Sequence, residues 1–173
     1  RVVAQARSRG IRVFNETAPQ YLFLSARDNR ESPEPWRYIL QPPLRAAEDN
    51  EGLQASLLFG AVDMVITDHC AYTREEKIHG MAGGVPGGLP GFATLLPMTA
   101  SVPGMTWTKL ARVLCQNPAR IYGLWPRKGA IIPGFDADIV VLRDEPVEII
   151  DARHGGFAGY SPFVGHLGRG RID

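Results

Sequence analysis

Cysteine is nearly missing from this sequence, and so are a charge excess and a long apolar run. Only Cys70 and Cys115 occur among 173 residues, without C-x-x-C spacing. That pattern excludes a disulfide framework and points to free thiols in a reducing compartment, the cytoplasm. Nineteen basic residues against 18 acidic ones leave a net charge of +1, so nothing electrostatic argues for nucleic acid or a membrane surface as partner. The short basic stretch Arg169-Gly170-Arg171 does not change this. No apolar stretch approaches the roughly 20 residues that span a bilayer. The opening residues read as part of a helix, not as a charged-then-apolar leader. The G-x-x-x-x-G-K-[ST] pattern is missing, and no strand runs into a helix through G-x-G-x-x-G, so a phosphate cradle is set aside. Internal repeats are missing too.

What remains is ordinary globular composition, 45% hydrophobic and 21% charged, enough for one core. Glycine (19) and proline (14) are plentiful and gather in long connections, where function often sits. Residues 1–9 read as an amphipathic helix ended by Gly10, and 11–16 as a short strand. A turn from Thr17 leads to a charged connection and then to Gln41-Pro42-Pro43, whose prolines exclude a regular helix or central strand and fix an extended backbone. Residues 46–60 read as a helix with Asp49 as cap, Leu53, Leu57 and Leu58 as apolar face, and Gly60 as stop. The apolar run 62–67 reads as a buried strand. Helix and strand alternate, which predicts parallel βα units and an α/β fold. After a Gly-rich loop over 70–90, helices are expected at 92–100, 107–115 and 118–124. Residues 128–142 read as strand, Pro-Gly turn, strand, the start of a small β region. Residues 151–173 show no period.

Asp68 stands out in this pattern. An apolar, β-branched run stops at Thr67-Asp68-His69-Cys70, as a buried parallel strand would when delivering a carboxylate to the C-terminal edge of a sheet. In a barrel of alternating strands and helices, that edge is where active sites are built. A strand-end Asp is, however, more often a cap for the next turn.

Four segments bear on the choice. They are Glu16-Thr17-Ala18-Pro19-Gln20-Tyr21-Leu22, Gln41-Pro42-Pro43-Leu44-Arg45, Thr67-Asp68-His69-Cys70-Ala71-Tyr72-Thr73, and Asn117-Pro118-Ala119-Arg120-Ile121-Tyr122-Gly123-Leu124 continuing through Gly134-Phe135-Asp136-Ala137-Asp138. In this order they resemble the cyclic amidohydrolases: hydantoinase and dihydropyrimidinase, dihydroorotase, and allantoinase. The resemblance implies a metal-dependent (β/α)8 TIM barrel with an accessory β-sandwich, two divalent metal ions (usually zinc), and hydrolytic opening of a cyclic amide. It also implies a homo-oligomeric parent, tetramer or dimer. The family's His-x-His strand, carboxylated lysine and two later histidines have no counterpart in these residues. The resemblance therefore implies the C-terminal portion of such an enzyme. Residues 1–124 would be the last barrel strands and helices, and 125–173 an incomplete return into the sandwich. Such a piece is not expected to bind both metals or to act alone.

By the same resemblance, Asp68 is the metal-binding and catalytic carboxylate, base and then acid for the attacking water. Gln41 and the Pro90-Gly91 turn correspond to the places where the family contacts the ring amide, largely through backbone groups. Both positions depart from pattern: hydantoinases commonly carry Ser at the first and Asn at the second, and dihydroorotases Asn at the first. For Gln41 a plain structural turn is an equal alternative. Arg45 reads as an ion-paired residue at a helix entry more readily than as a substrate clamp. His69, next to Asp68, should point elsewhere and support the site. Cys70 reads as a packed thiol, and His79, His154 and His166 as loop or surface residues. Dihydroorotases usually carry a histidine where this chain has Tyr72, which favours a neutral hydantoin or dihydropyrimidine ring. Dihydroorotase or allantoinase, a non-catalytic scaffold of the same fold, and a small independent binding domain are the alternatives.

Overall fold

Two strands far apart in sequence lie side by side. β1 (Glu16–Thr17) pairs in parallel with β2 (Met64–Val65) in the register Glu16↔Met64 and Thr17↔Val65. The computed structural model describes residues 2–80 and 84–173. Arg1 and Gly83, assigned above to the first helix and the Gly-rich loop, lie outside them. The strands are shorter than the runs 11–16 and 62–67 lead one to expect. Bonds from Asp63 N to Asn15 O (3.1 Å) and from Ile66 N to Thr17 O (2.8 Å) extend the pairing at both ends, but the sheet has only these two strands among the described residues.

Around this pair stand α1 (Val2–Ser8), α2 (Pro19–Phe23), α3 (Ala26–Glu31) and α4 (Ala47–Leu58). Proline at the first position starts α2, where the missing N–H costs nothing. α4 is capped by Ala46 rather than Asp49. Asp49 instead lies in the first turn, where its carboxylate meets the positive end of the helix. Gly60 follows with φ +77°, a conformation open to glycine.

The connection after β2 is not a plain loop. It contains α5 (Arg74–His79), begun by a capping box in which Thr73 and Glu76 satisfy each other's backbone N–H. α6 (Leu95–Ala100), α7 (Trp107–Ala111) and α8 (Asn117–Ile121) come next. Two separate helices were expected over 107–124, yet α7 passes into α8 through a π-helical turn at Arg112–Gln116. Pro118 accounts for it: proline lacks the N–H and crowds the carbonyl four residues back, so the turn before it widens.

The strand–turn–strand reading of 128–142 is corrected. Residues 128–140 form turns and unpaired extended chain, held by ion pairs from Lys128 to Asp136 and Asp138. Ile139 and Val140 find no partner strand among the described residues and stay 57–58% exposed, while Val141 O accepts from Asp173 N at 3.2 Å. Pairing begins later, where β3 (Leu142–Glu148) runs antiparallel to β4 (Leu167–Ile172), with α9 (Asp151–His154) between them. The tail is thus more regular than its composition suggests. No helix among the described residues is long and apolar enough to cross a membrane.

Two cores hold this together. One gathers Leu22, Leu57, Val65, Val102, Leu110 and Val113 beneath the strand pair. The other joins Leu24, Leu40, Leu89 and Met98 to Val147, Ile149 and Phe163, so residues on both sides of position 124 share it. Arg37, 8% exposed, ties the same halves by charge. It donates to both Asp151 oxygens (3.0 and 2.9 Å), to Glu34 (2.7 Å) and to the Ser161 carbonyl (3.2 Å). Burial works against the Asp151 carboxylate, but Arg37 and the Ser161 N–H outweigh it and hold its pKa below the usual carboxylate value. A depressed folded pKa stabilises above the unfolded value, near 3.9, and that contribution fades as pH falls through the folded one. Asp151→Asn should therefore cost about 2 kcal/mol at pH 7, with the gap to wild type closing below about pH 4. Urea denaturation across that range checks it.

Candidate functional site

The parallel pair delivers Asp68 to its C-terminal edge. After the Ile66 bond the chain leaves the sheet, and Asp68 takes φ +47°, alone among described non-glycine residues in being positive. That region costs most L-residues about 1–2 kcal/mol and is easiest for Asp and Asn. A strained residue at a strand end is a common mark of a functional side chain. Asp68 is solvent-exposed.

Two residues of α2 reach it. The Gln20 side chain, 2% exposed, donates to Asp68 Oδ2 at a long 3.4 Å. The Tyr21 phenol is pushed up to about 12 by burial and then by the negative charge of Asp68. Its hydroxyl donates to the Pro42 carbonyl at 3.0 Å, linking the carboxylate's surroundings to the Gln41-Pro42 turn. The Gln41–Pro42 peptide there is cis, and Gln41 is exposed.

Residues 86–91 lie along the other flank. Leu89 bridges His69 in parallel, and Cys70 N donates to Leu89 O at 3.0 Å. Gly91 N donates to His69 Nδ1 at 3.1 Å. This approach needs glycine: a Cβ on Gly88 would stand 2.5 Å from Cys70 O, and one on Gly91 2.5 Å from Thr67 O. Gly88 N also donates to Ile39 O at 3.1 Å, and a Cβ on Gly87 would stand 3.0 Å from Gln41 Cγ. Asp68, Gln41 and Pro90-Gly91 thus share one edge. Pro90 and Gly91 are buried. Both backbone groups of Gly91 are engaged, the N–H by His69 and the carbonyl by Leu95 N (3.1 Å) and Thr94 Oγ1 (3.3 Å).

Several neighbours differ from expectation. Cys70 is exposed, not packed, because the chain has already left the core. His154 is buried, 6% exposed, with Nδ1 3.1 Å from Ile150 N at the start of α9. Arg45 is exposed with no ion pair among the described residues; its carbonyl accepts from Ala26 N at 2.7 Å. His69 supports the edge as anticipated, its ring edge-on to Phe92 at 5.8 Å. Gln20 and Tyr21 had no role assigned, although both lie in the first of the four segments. Lys77 was missed altogether. Its signal was the Thr73-x-x-Glu76 box, which announces a helix inside the apparent loop.

The described residues do not fit a two-metal centre. No three His, Cys, Asp or Glu side chains among them converge, and His69 Nδ1 is already engaged. Asp68 offers one carboxylate where two cations need several donors.

The fold and the edge define a class: an α/β protein whose candidate site lies where parallel strands end. Residues 40–172 match the amidohydrolase family, and the chain belongs to that family. It is similar to the D-hydantoinase of Streptomyces coelicolor, 37% identical over 183 residues that cover 99% of this chain and 38% of that protein. It is also similar to the D-phenylhydantoinase of Escherichia coli K12, 34% identical over 168 residues, covering 92% of this chain and 36% of that one. The structure of L-hydantoinase (dihydropyrimidinase) from Arthrobacter aurescens superposes with a TM-score of 0.86 at 32% identity. That match covers 99% of this chain and 39% of that one. The chain spans less than two-fifths of these relatives' length.

Proposed function

We propose that this chain contributes the Asp68 edge to a hydrolase that opens the cyclic amide of a hydantoin or dihydropyrimidine ring. The observation that carries the reading is Asp68 itself. It is an exposed carboxylate in a left-handed conformation at the end of a parallel strand, on the edge shared with Gln41 and Pro90-Gly91. Asp68 takes a proton from the attacking water as its oxygen bonds the ring carbonyl carbon. It returns that proton to the ring nitrogen as the C–N bond breaks, leaving a ureido group and a carboxylic acid that loses its own proton to solvent. The Gln41 segment and the Pro90 carbonyl face the ring amide, and Gly91 lets the Pro90 turn lie close to the Thr67-Asp68 backbone. Proline has no N–H, so position 90 offers an acceptor only.

The last strands of a (β/α)8 barrel over 1–124 and part of a β-sandwich over 125–173 complete this reading. Two divalent cations, zinc by the family resemblance, would take their remaining donors from other parts of a longer protein. A small cyclic amide as substrate fits the relatives' names, while the cytoplasm follows from the sparse cysteines and a homo-oligomer from the family resemblance. The test uses the full-length protein carrying this chain, loaded with zinc and offered hydantoin, dihydrouracil, allantoin and dihydroorotate. Hydantoin or dihydrouracil should open at least about tenfold faster than dihydroorotate, because Tyr72 brings no cation for an acidic substituent. Preference for dihydroorotate would reject the assignment, and inertness toward all four rings would favour a non-catalytic scaffold.

A further inference from the structure

Lys77 is fully buried, at 0% exposure, yet none of the roles above uses it. Its ammonium donates to three backbone carbonyls: Ile39 at 2.7 Å, Pro86 at 2.8 Å and Gly88 at 3.0 Å. An ammonium has three donors, so every one is satisfied. Burial lowers its pKa to about 8, Cys70 pulling the other way, which keeps the charged form dominant at neutral pH. Desolvating an ammonium is expensive, and a neutral apolar residue could fill the same space. What such a residue could not do is gather three carbonyls from two segments to one point.

The location of those carbonyls gives the cluster its meaning. Ile39 lies two residues before Gln41, and Gly88 two residues before Pro90. The two segments are also bonded to each other through Gly88 N and Ile39 O. α5, which carries Lys77, is held at its start by the Thr73–Glu76 box. We infer that Lys77 is a positioning residue that fixes the Gln41 and Pro90-Gly91 segments relative to each other and to Asp68. It thereby sets the width of the slot that reads the ring amide. The inference rests on the function proposed above.

The two can be separated by experiment in the full-length, zinc-loaded protein with hydantoin and dihydrouracil as substrates. Lys77→Met keeps the side-chain length and removes the donors. It should raise KM about tenfold or more, with kcat within about threefold, at a temperature well below its melting point. Lys77→Arg keeps the charge but cannot converge on three carbonyls. It should move KM in the same direction, and it serves where Lys77→Met does not accumulate as folded protein. Asp68→Asn is the reference. If it is inactive while a Lys77 variant melts lower with unchanged KM and kcat, Lys77 is merely structural and the inference is overturned. If Asp68→Asn stays active, the functional reading fails instead.

Discussion

Asp68→Asn, made in the full-length protein, should fold normally and lose about a hundred- to ten-thousand-fold in kcat on hydantoin or dihydrouracil. Asparagine is the informative replacement because of the backbone. Asp68 sits at φ +47°, where Asn is tolerated as well as Asp but alanine is disfavoured. The amide oxygen can still accept the bond from Gln20, so the edge keeps its shape. It cannot hold a proton at neutral pH, and that capacity is what the substitution removes. Melting temperature should therefore stay close to wild type while turnover collapses. Zinc content measured alongside tells a lost proton acceptor from a lost ligand. A variant keeping a tenth or more of wild-type kcat would show that another group moves the proton.

How much of this was readable beforehand follows from the range of the interactions involved. The Asp68 edge was legible because a buried parallel strand is written locally, as an apolar run with an abrupt polar end. α4 was legible for the same reason, although its cap was not: Asp49 satisfies the capping pattern, but the chain enters the helix three residues earlier. Residues 128–142 misled because their β-branched pattern is real while a strand needs a partner, and pairing reaches only Val141 and Leu142 at the end of the run. Lys77 was hidden for a different reason. Its three acceptors come from residues 39, 86 and 88, and a lysine in a charged stretch looks solvated until the chain folds back over it. The edge's lining was thus partly visible as motifs, whereas the bonds that space it were not.

Gly91→Ala tests that spacing most directly. Its added Cβ would stand 2.5 Å from Thr67 O and 3.3 Å from Thr67 C, both backbone atoms of the residue before Asp68. Neither can rotate away, so either the Asp68 strand end or the Pro90 turn must move. Overpacking of this kind costs about 1–3 kcal/mol. Its effect on chemistry should match the upper end of that range, because a displacement near 1 Å between reacting groups can cost about a hundredfold, or about 2.7 kcal/mol. We expect kcat/KM for hydantoin to fall by about that factor, with a lowered but cooperative melting transition. Gly52→Ala supplies the contrast. Gly52 lies in α4 with nothing within 4 Å of a built Cβ, so alanine there should stabilise by about 0.4–1 kcal/mol and leave kcat/KM unchanged. Wild-type kcat/KM in Gly91→Ala would mean that the edge can open without consequence, and that the close approach of Gly91 to Thr67 belongs to the packing and not to the site.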